Sequence, residues 1–235
     1  MKLHKKALCI VGLGLLLGST SLLASEKSAK EIVTHAYAYI GNMDQYAFNA
    51  VVTDNDVVDG EIKKYRHDVS VKIDRPGDLR VDTKGDVKNR SITMHDGLFT
   101  MYDIGFGYYG QLETPKTIDG TLDFLFDKYG IKAPLTTLMY SDMNKRLKFN
   151  HGKYFGTMDV SGVECDYVAF RVNEKVIHIW IETGDKPLVK TYSIIDDDNR
   201  IDTTLTWNAN PKISENDFLF TAPKNATKIS ITSAN

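Results

Sequence analysis

Apolar and polar residues alternate in short runs along most of this chain, the pattern of β-strands with one buried face. The clearest run, residues 65–73, places apolar side chains and a histidine at every second position. Turn sequences such as Arg75-Pro76-Gly77-Asp78 separate the runs. The pattern predicts about 10 to 11 strands joined mainly by hairpins. The predicted strands are 46–54, 65–73, 79–83, 91–94, 98–103, 154–160, 163–172, 176–183, 188–195 and 201–208, with 218–220 and 229–232 as candidates for the last edges.

Apolar residues at helical spacing first appear shortly after Ser28. Apolar residues between Ala29 and Ile40 recur at intervals of three and four, which predicts a helix ending near Gly41. Ser28 and Glu31 have the spacing of a capping box.

A second helical region interrupts the strands once, from about Asp119 to Phe149. Two stripes of apolar residues at helical spacing predict two helices in this region, the first ending at Gly130 and the second following Pro134. Helices laid across the open face of a curved antiparallel sheet can enclose an apolar cavity, so this interruption bears on function. The first stripe consists of Leu122, Leu125, Phe126 and Tyr129, and the second of Leu135, Leu138, Met139 and Leu147.

The N-terminus has the layout of a secretory signal peptide. Lysines at 2, 5 and 6 precede an apolar run from Ala7 to Leu17, and small residues follow. The alternative, a membrane anchor, is disfavoured because the run is shorter than the ~20 residues that span a bilayer. We therefore expect a signal peptide over residues 1–24 with cleavage near Ala24-Ser25, and a single domain over 25–235. Ser25 stands where a lipoprotein needs cysteine, so we expect a soluble protein without stable membrane insertion.

Charge and cysteine content argue against a nucleic-acid-binding protein and against a protein stabilised by an intramolecular disulfide. The chain has 29 Lys and Arg against 31 Asp and Glu and contains no basic run, so a nucleic-acid partner is not expected. Of the two cysteines, Cys9 lies in the signal peptide, which leaves Cys165 without an intramolecular partner.

Candidate chemistry is sparse. Gly105 to Gly110 spells G-x-G-x-x-G, but the residues that follow do not predict the helix that a dinucleotide site needs. Cys165 with His178 is the one sequence-plausible nucleophile and base pair, although the alternation around Cys165 favours a core position. The histidines lack the close spacing of a metal-binding pair. We therefore expect no catalytic residues, no metal and no cofactor, and a protein that is not an enzyme.

Five short segments resemble, in their order along the chain, a family of predicted periplasmic proteins of unknown function related to the outer-membrane lipoprotein carrier superfamily. The segments are Arg75 to Arg80, Asp96 to Leu98, Thr117 to Asp123, Gly162 to Arg171, and Trp180 to Glu182 with Pro187, Leu188 and Lys190. The resemblance implies a mainly β (α+β) fold: a half-open antiparallel β-barrel with helices as a lid over an apolar cavity, located in the periplasm. In the carriers this cavity takes lipoprotein acyl chains and an arginine is thought to hold the lid. Arg66, Arg80 and Arg90 are all available for that role here.

These observations favour a binding protein. We expect it to hold a hydrophobic small molecule, lipid or acylated protein, with Leu122, Leu125 and Phe126 closing the cavity and Tyr102, Tyr167 and Trp180 lining it. The alternative hypothesis is a non-enzymatic protein-interaction or envelope-stress sensing module of the same fold, with an envelope protein as partner and the interior filled by its own side chains.

Overall fold

One open sheet of twelve strands dominates the structure. The structure is a computed structural model, and it describes residues 28–58, 61–131, 134–148, 150–196 and 199–233. Its spatial order is β12-β6-β5-β4-β3-β2-β1-β11-β10-β9-β8-β7, so every pair except β12-β6 and β1-β11 is sequential along the chain. All pairs except β12-β6 are antiparallel, and the expected open, mainly β architecture is confirmed. The strands are β1 (Gln45–Val58), β2 (Glu61–Asp74), β3 (Asp78–Gly85), β4 (Asn89–His95), β5 (Leu98–Asp103), β6 (Tyr108–Glu113), β7 (Asn150–Val160), β8 (Val163–Val172), β9 (Lys175–Glu182), β10 (Val189–Asp196), β11 (Asn199–Asn208) and β12 (Thr227–Lys228).

Strand alternation divides the sheet into an inner and an outer face. On β2 the buried residues Val69, Val71 and Ile73 point to the inner face, and the residues between them are partly exposed on the outer face. The same period recurs on β9, where Ile179 and Ile181 are buried. The inner face carries the core, and the helices cover it.

Helix α1 (Ala29–Gly41) begins as the sequence predicts. Ser28 accepts a hydrogen bond from the Glu31 amide at 3.1 Å, and the Glu31 carboxylate accepts one from the Ser28 amide at 3.1 Å, which completes the capping box. The helix buries Val33, Ala36 and Ile40 in the shared core.

The mid-chain lid contains one full helix rather than the two expected. Helix α2 (Ile118–Tyr129) is capped by Thr117 and ends at Gly130, whose left-handed φ of 64° is the ordinary glycine C-cap. The second predicted helix is instead a 3-10 turn, Pro134–Leu138, followed by the short α3 (Met143–Arg146). An α-helix there would use the carbonyls of Leu138 and Met139 for its own hydrogen bonds, but Tyr46 and Arg75 occupy them.

The C-terminal segment corrects the expected edge strands. Residues 218–220 form no strand and cross the outer face, with Phe218 only 1% exposed and Phe220 packed against Tyr102 and Tyr109. The short β12 precedes the predicted 229–232 strand and pairs with β6. Lys72 donates to Asp217, and this bond is the main reason that the pKa of Asp217 falls to about 2.

The close approach of Gly41 to the Ser141 carbonyl allows a test of the packing between α1 and the lid. A Cβ added there would lie 2.1 Å from the Ser141 carbonyl oxygen, so Gly41→Ala is expected to lower the free energy of unfolding by about 1–3 kcal/mol, despite the better helix propensity of alanine. Urea unfolding measures this. The control is Gly105→Ala, where the nearest atom is Asp103 Oδ1 at 3.5 Å and the expected change is below about 0.5 kcal/mol. Equal effects of the two variants would contradict this packing.

The bond between Lys72 and Asp217 predicts a pH dependence. The pKa of Asp217 is lowered in the folded state, from 3.8 to about 2, so its stabilisation is present above pH 3.8 and is lost as the pH falls towards 2. The destabilisation caused by Lys72→Met should therefore be constant above pH 5 and shrink towards pH 2. Urea midpoints across this range measure it, with Lys84→Met as the control for a lost surface lysine. A pH-independent difference would count against the pair.

Candidate functional site

An apolar cavity of about 230 Å³ lies between the inner face of β1–β5 and the lid; we call it the α2 cavity. Its roof comes from α2 and the residues that follow: Leu122, Leu125, Ile131, Leu135, Thr136 and Met139. Its floor consists of Val52, Val69, Leu79, Val81, Ile92, Met94, Phe99 and Met101. Roof and floor are almost wholly apolar, the lining expected of a site for a hydrocarbon chain.

The polar residues of the α2 cavity gather at one end, which we call the mouth: His67, Thr83, Lys88 and Arg90. Beyond the mouth is a polar vestibule of about 550 Å³ that shares His67 and Lys88 with the cavity. Hairpin ends of the sheet form the vestibule, because β1, β3 and β10 end there and β2, β4 and β11 begin there. The α2 cavity therefore has an apolar interior and a polar opening.

A second cavity of about 520 Å³ lies on the other side of the 3-10 turn. Adjacent residues of that turn separate the two cavities, since Thr136 lines the first and Thr137 the second. Its floor includes Phe170, Ile177 and Ile179, and Arg146 and Lys148 stand in its lining.

Arg75 holds the lid to the sheet. Its guanidinium donates to the Met139 carbonyl at 2.9 Å and to the Tyr46 hydroxyl at 3.1 Å, and its Nε donates to the Met43 carbonyl at 3.2 Å. Asp119 at the start of α2 lies 3.7 Å from the same guanidinium, and the Arg75 side chain is only 10% exposed. One buried cation thus joins the β2–β3 turn, the strand β1, the helix α2 and the segment after the 3-10 turn.

Two neighbouring contacts complete this anchor. The Tyr46 hydroxyl donates to the Leu138 carbonyl at 2.6 Å, and burial raises the Tyr46 pKa, so it stays a neutral donor. Asp119 also accepts hydrogen bonds from the amide and hydroxyl of Ser141. Further along α2, Asp123 accepts bonds from both Arg146 Nη atoms, at 2.7 and 3.1 Å. The first half of α2 is therefore tied to the segment that follows it.

The structure places the six predicted cavity residues in three different settings. Leu122 and Leu125 line the α2 cavity, whereas Phe126 is 46% exposed and lies outside its lining. The expectation that Tyr102, Tyr167 and Trp180 line the cavity is corrected, since all three lie on the outer face.

Strand alternation explains the outer position of these aromatic residues. On β5, Phe99 and Met101 point into the cavity, so Tyr102 points outward and meets Phe220. The same alternation puts Tyr167 and Trp180 outward, where their rings stack at 4.6 Å and 2°. The aromatic content of the sequence predicted that these side chains cluster, but it did not show on which face of the sheet they lie.

Cys165 and His178 do not form a catalytic pair. Cys165 is opposite Glu182 in the β8–β9 register, whereas His178 is opposite Ala169. His178 Nδ1 instead lies 2.6 Å from the Tyr167 hydroxyl. Burial raises the pKa of the Cys165 thiol to about 11, which keeps it protonated and unreactive. Gly105 to Gly110 forms the β5–β6 hairpin, and no helix follows it directly.

The lid arginine is a residue that the sequence did not identify. Of the three candidates, Arg66 pairs with Asp68 in solvent, Arg80 binds Asp82 and Asp217 on the outer face, and Arg90 lies at the mouth. Arg75 was assigned only to a turn, because nothing in its spacing shows that its side chain points inward.

An open β-barrel covered by a helical lid is the class of protein that this architecture defines. The sequence matches the model of a family described as "Predicted periplasmic protein (DUF2092)" over residues 29–232, and the chain belongs to that family. The expected family and periplasmic location are thereby confirmed. A comparison with the curated proteins finds no significant match.

Solved structures with a similar fold share little sequence with this chain. An uncharacterized conserved protein from Thermus thermophilus is 10% identical, with 87% of this chain and 99% of that one covered and a TM-score of 0.53, which shows the fold. The lipoprotein LppX from Mycobacterium tuberculosis is 10% identical, with coverages of 79% and 98% and a TM-score of 0.44. A LolA superfamily protein, NE2245 from Nitrosomonas europaea, is 8% identical, with coverages of 83% and 99% and a TM-score of 0.38.

In the described ranges, no helix has the length and apolar character needed to cross a membrane. No group of three or more His, Cys, Asp or Glu side chains suited to a metal ion occurs in the same ranges.

Replacing Arg75 tests the anchor. Arg75→Met leaves the Met139 carbonyl, the Tyr46 hydroxyl and Asp119 without their cation, so we expect a loss of about 3 kcal/mol in unfolding free energy. Hydrogen exchange should accelerate most in residues 134–148. The control is Arg66→Met, which removes an arginine whose side chain is 64% exposed and should change stability by less than about 0.5 kcal/mol. Exchange that increases uniformly along the chain would argue against a local anchor.

Proposed function

We propose that this protein is a periplasmic binding protein that holds a hydrophobic ligand, such as a lipid or the acyl chain of a lipoprotein, in the α2 cavity. The single observation that carries the proposal is the apolar space between the inner face of the sheet and α2, which has a roof, a floor and one polar opening. Protein interiors are normally close-packed, and an empty apolar space costs stability because the side chains around it lose dispersion contacts. A bound hydrocarbon chain would restore those contacts.

Burial of a hydrocarbon chain supplies the binding energy in this proposal. Each methylene removed from water contributes about 0.8 kcal/mol, so a chain of about ten methylenes between Met101 and Leu125 contributes ~8 kcal/mol, which is comparable to the entropic cost of association. The ligand acts by occupying the space and undergoes no reaction, which agrees with the inert Cys165 and its separation from His178.

The lid is built to open at one end only. Asp119 and Asp123 anchor the first half of α2, and Leu122 and Leu125 face the cavity. A ligand larger than about 230 Å³ enters by displacing the second half of the helix, which ends at Gly130.

Mass spectrometry of an organic extract from natively purified protein tests the proposal directly. The expected result is a co-purifying lipid in amounts comparable to the protein, or stoichiometric binding of fluorescent fatty acids by the lipid-free protein. Repeated absence of both would favour the alternative of a protein-interaction or envelope-stress sensing module with a self-filled interior.

Two neighbouring residues on β5 provide a matched pair of variants. Met101 points into the α2 cavity and Tyr102 points to the outer face, so Met101→Trp fills the cavity and Tyr102→Trp does not. We expect Met101→Trp to weaken binding of a fluorescent fatty acid at least about tenfold, a change of ~1.4 kcal/mol, and Tyr102→Trp to change it by less than about twofold. Fluorescence titration measures both, with thermal unfolding as the check on folding. The reverse order of effects would place the ligand on the outer face.

A further inference from the structure

The charge at the mouth of the α2 cavity is one-sided. Lys88 and Arg90 stand there beside His67, whose lowered pKa favours the neutral imidazole, and the described residues that line the cavity include no carboxylate. The apolar floor begins immediately beside them, with Val69 on the same strand as His67 and Ile92 on the same strand as Arg90. Cationic groups at the opening of a hydrocarbon site are the arrangement that suits an amphiphile with a negative head.

Strand register places Thr83 beside Arg90, with His67 on the strand on the other side of β3. Thr83 on β3 is directly opposite Arg90 on β4, and Arg90 is in turn opposite Asp103 on β5. His67 on β2 is opposite Gly85, where an added Cβ would come within 2.4 Å of the His67 Cβ. Glycine at that position leaves the space that the His67 side chain needs.

The polar atoms of the mouth have unused hydrogen-bonding capacity. Arg90 Nε and His67 Nδ1 are buried and have no hydrogen-bond partner among the described residues. Within those same residues, the one ion pair of Arg90 is with Asp103, at 3.4 Å. Lys88 has no carboxylate partner in the part of the chain that the structure describes, and its charge, after burial, contributes to the lowered pKa of His67. Arg90 Nε always carries a proton, and a buried unpaired donor is costly, so an anionic oxygen beside it would satisfy it.

We propose that the mouth binds the anionic head group of a single-chain amphiphile, a carboxylate or a phosphate, whose hydrocarbon chain occupies the α2 cavity. This inference rests on the proposed function and adds the chemical class of the ligand. The Arg90 guanidinium contacts the head-group oxygens through Nε and a neighbouring Nη, the fork that suits carboxylate and phosphate. Lys88 supplies a second charge at the cavity entrance.

The acidic residues nearby do not reverse this preference. Asp196 in the vestibule is paired with Lys175, and Asp103 lies beside Arg90 outside the cavity lining. Asp54 stands in the vestibule, on the far side of His67 from the apolar floor. A cationic head group at the mouth would face Lys88 and Arg90 directly.

Calorimetric titration with twelve-carbon ligands separates the head group from the chain. We expect dodecanoate and dodecyl phosphate to bind at least about tenfold more tightly than dodecanol, the effect of roughly one charge-assisted hydrogen bond. Inorganic phosphate and acetate alone should not bind measurably, because they lack the chain.

Three variants assign the preference to the mouth. Lys88→Gln, and separately Arg90→Gln combined with Asp103→Asn so that no acid is left unpaired, should each reduce the ratio of dodecanoate affinity to dodecanol affinity at least about threefold. Lys84→Gln removes the same charge from the outer face of the neighbouring strand β3 and should leave the preference intact.

The outcomes distinguish the two proposals. Equal binding of dodecanol and dodecanoate overturns the head-group inference and leaves the proposed function standing. Binding of no twelve-carbon ligand, together with the absence of a co-purifying lipid, overturns the proposed function itself. Binding of inorganic phosphate as tight as that of dodecyl phosphate shows a free-anion site and overturns the inference, as does an anionic preference that survives in both mouth variants.

Discussion

The buried Arg75 guanidinium is the contact on which the rest of the site depends. It reaches the carbonyl of Met139, the hydroxyl of Tyr46 and, at longer range, the carboxylate of Asp119. These partners come from separate parts of the chain, and the cation brings them together over the inner face. A buried charge with three hydrogen bonds and a nearby carboxylate favours one geometry, because displacing any of these partners leaves the cation less well satisfied. The lid is therefore held at a set height above the sheet, and the α2 cavity is the space that this height leaves.

The sheet has two faces with different roles. The inner face has its apolar side chains under the lid, and the outer face is crossed by the C-terminal segment around Phe218 and Phe220. The outer face also exposes an aromatic stack that includes Phe155, Tyr167 and Trp180. Because the inner face is not filled completely by α1 and the lid, two cavities remain on either side of the 3-10 turn. The first has cationic residues at its mouth, and the proposed ligand class rests on that combination of apolar interior and charged opening.

Local pattern predicted much of this fold. Strand alternation gave β5 and β8 with correct ends, and the Ser28 and Glu31 capping box gave the start of α1, since these signals lie within a few residues of one another. The prediction of a second lid helix was wrong because the carbonyls of Leu138 and Met139 accept hydrogen bonds from Tyr46 and Arg75, which are far away in the sequence. The predicted faces of Tyr102, Tyr167 and Trp180 were wrong because β5, β8 and β9 carry large or apolar residues on both sides, so periodicity alone did not say which side is inner. The roles of Arg75, Lys88 and Arg90 were not predicted, because each depends on tertiary neighbours and not on local spacing.

Anomalous diffraction from crystals grown with 12-bromododecanoate would locate the end of the hydrocarbon chain in the protein. We expect a bromine peak inside the α2 cavity, between the floor at Met101 or Val81 and the roof at Leu125, with the carboxylate at Arg90 and Lys88. A bromine peak on the outer face, or in the second cavity beside Phe170 and Ile177 alone, would contradict it.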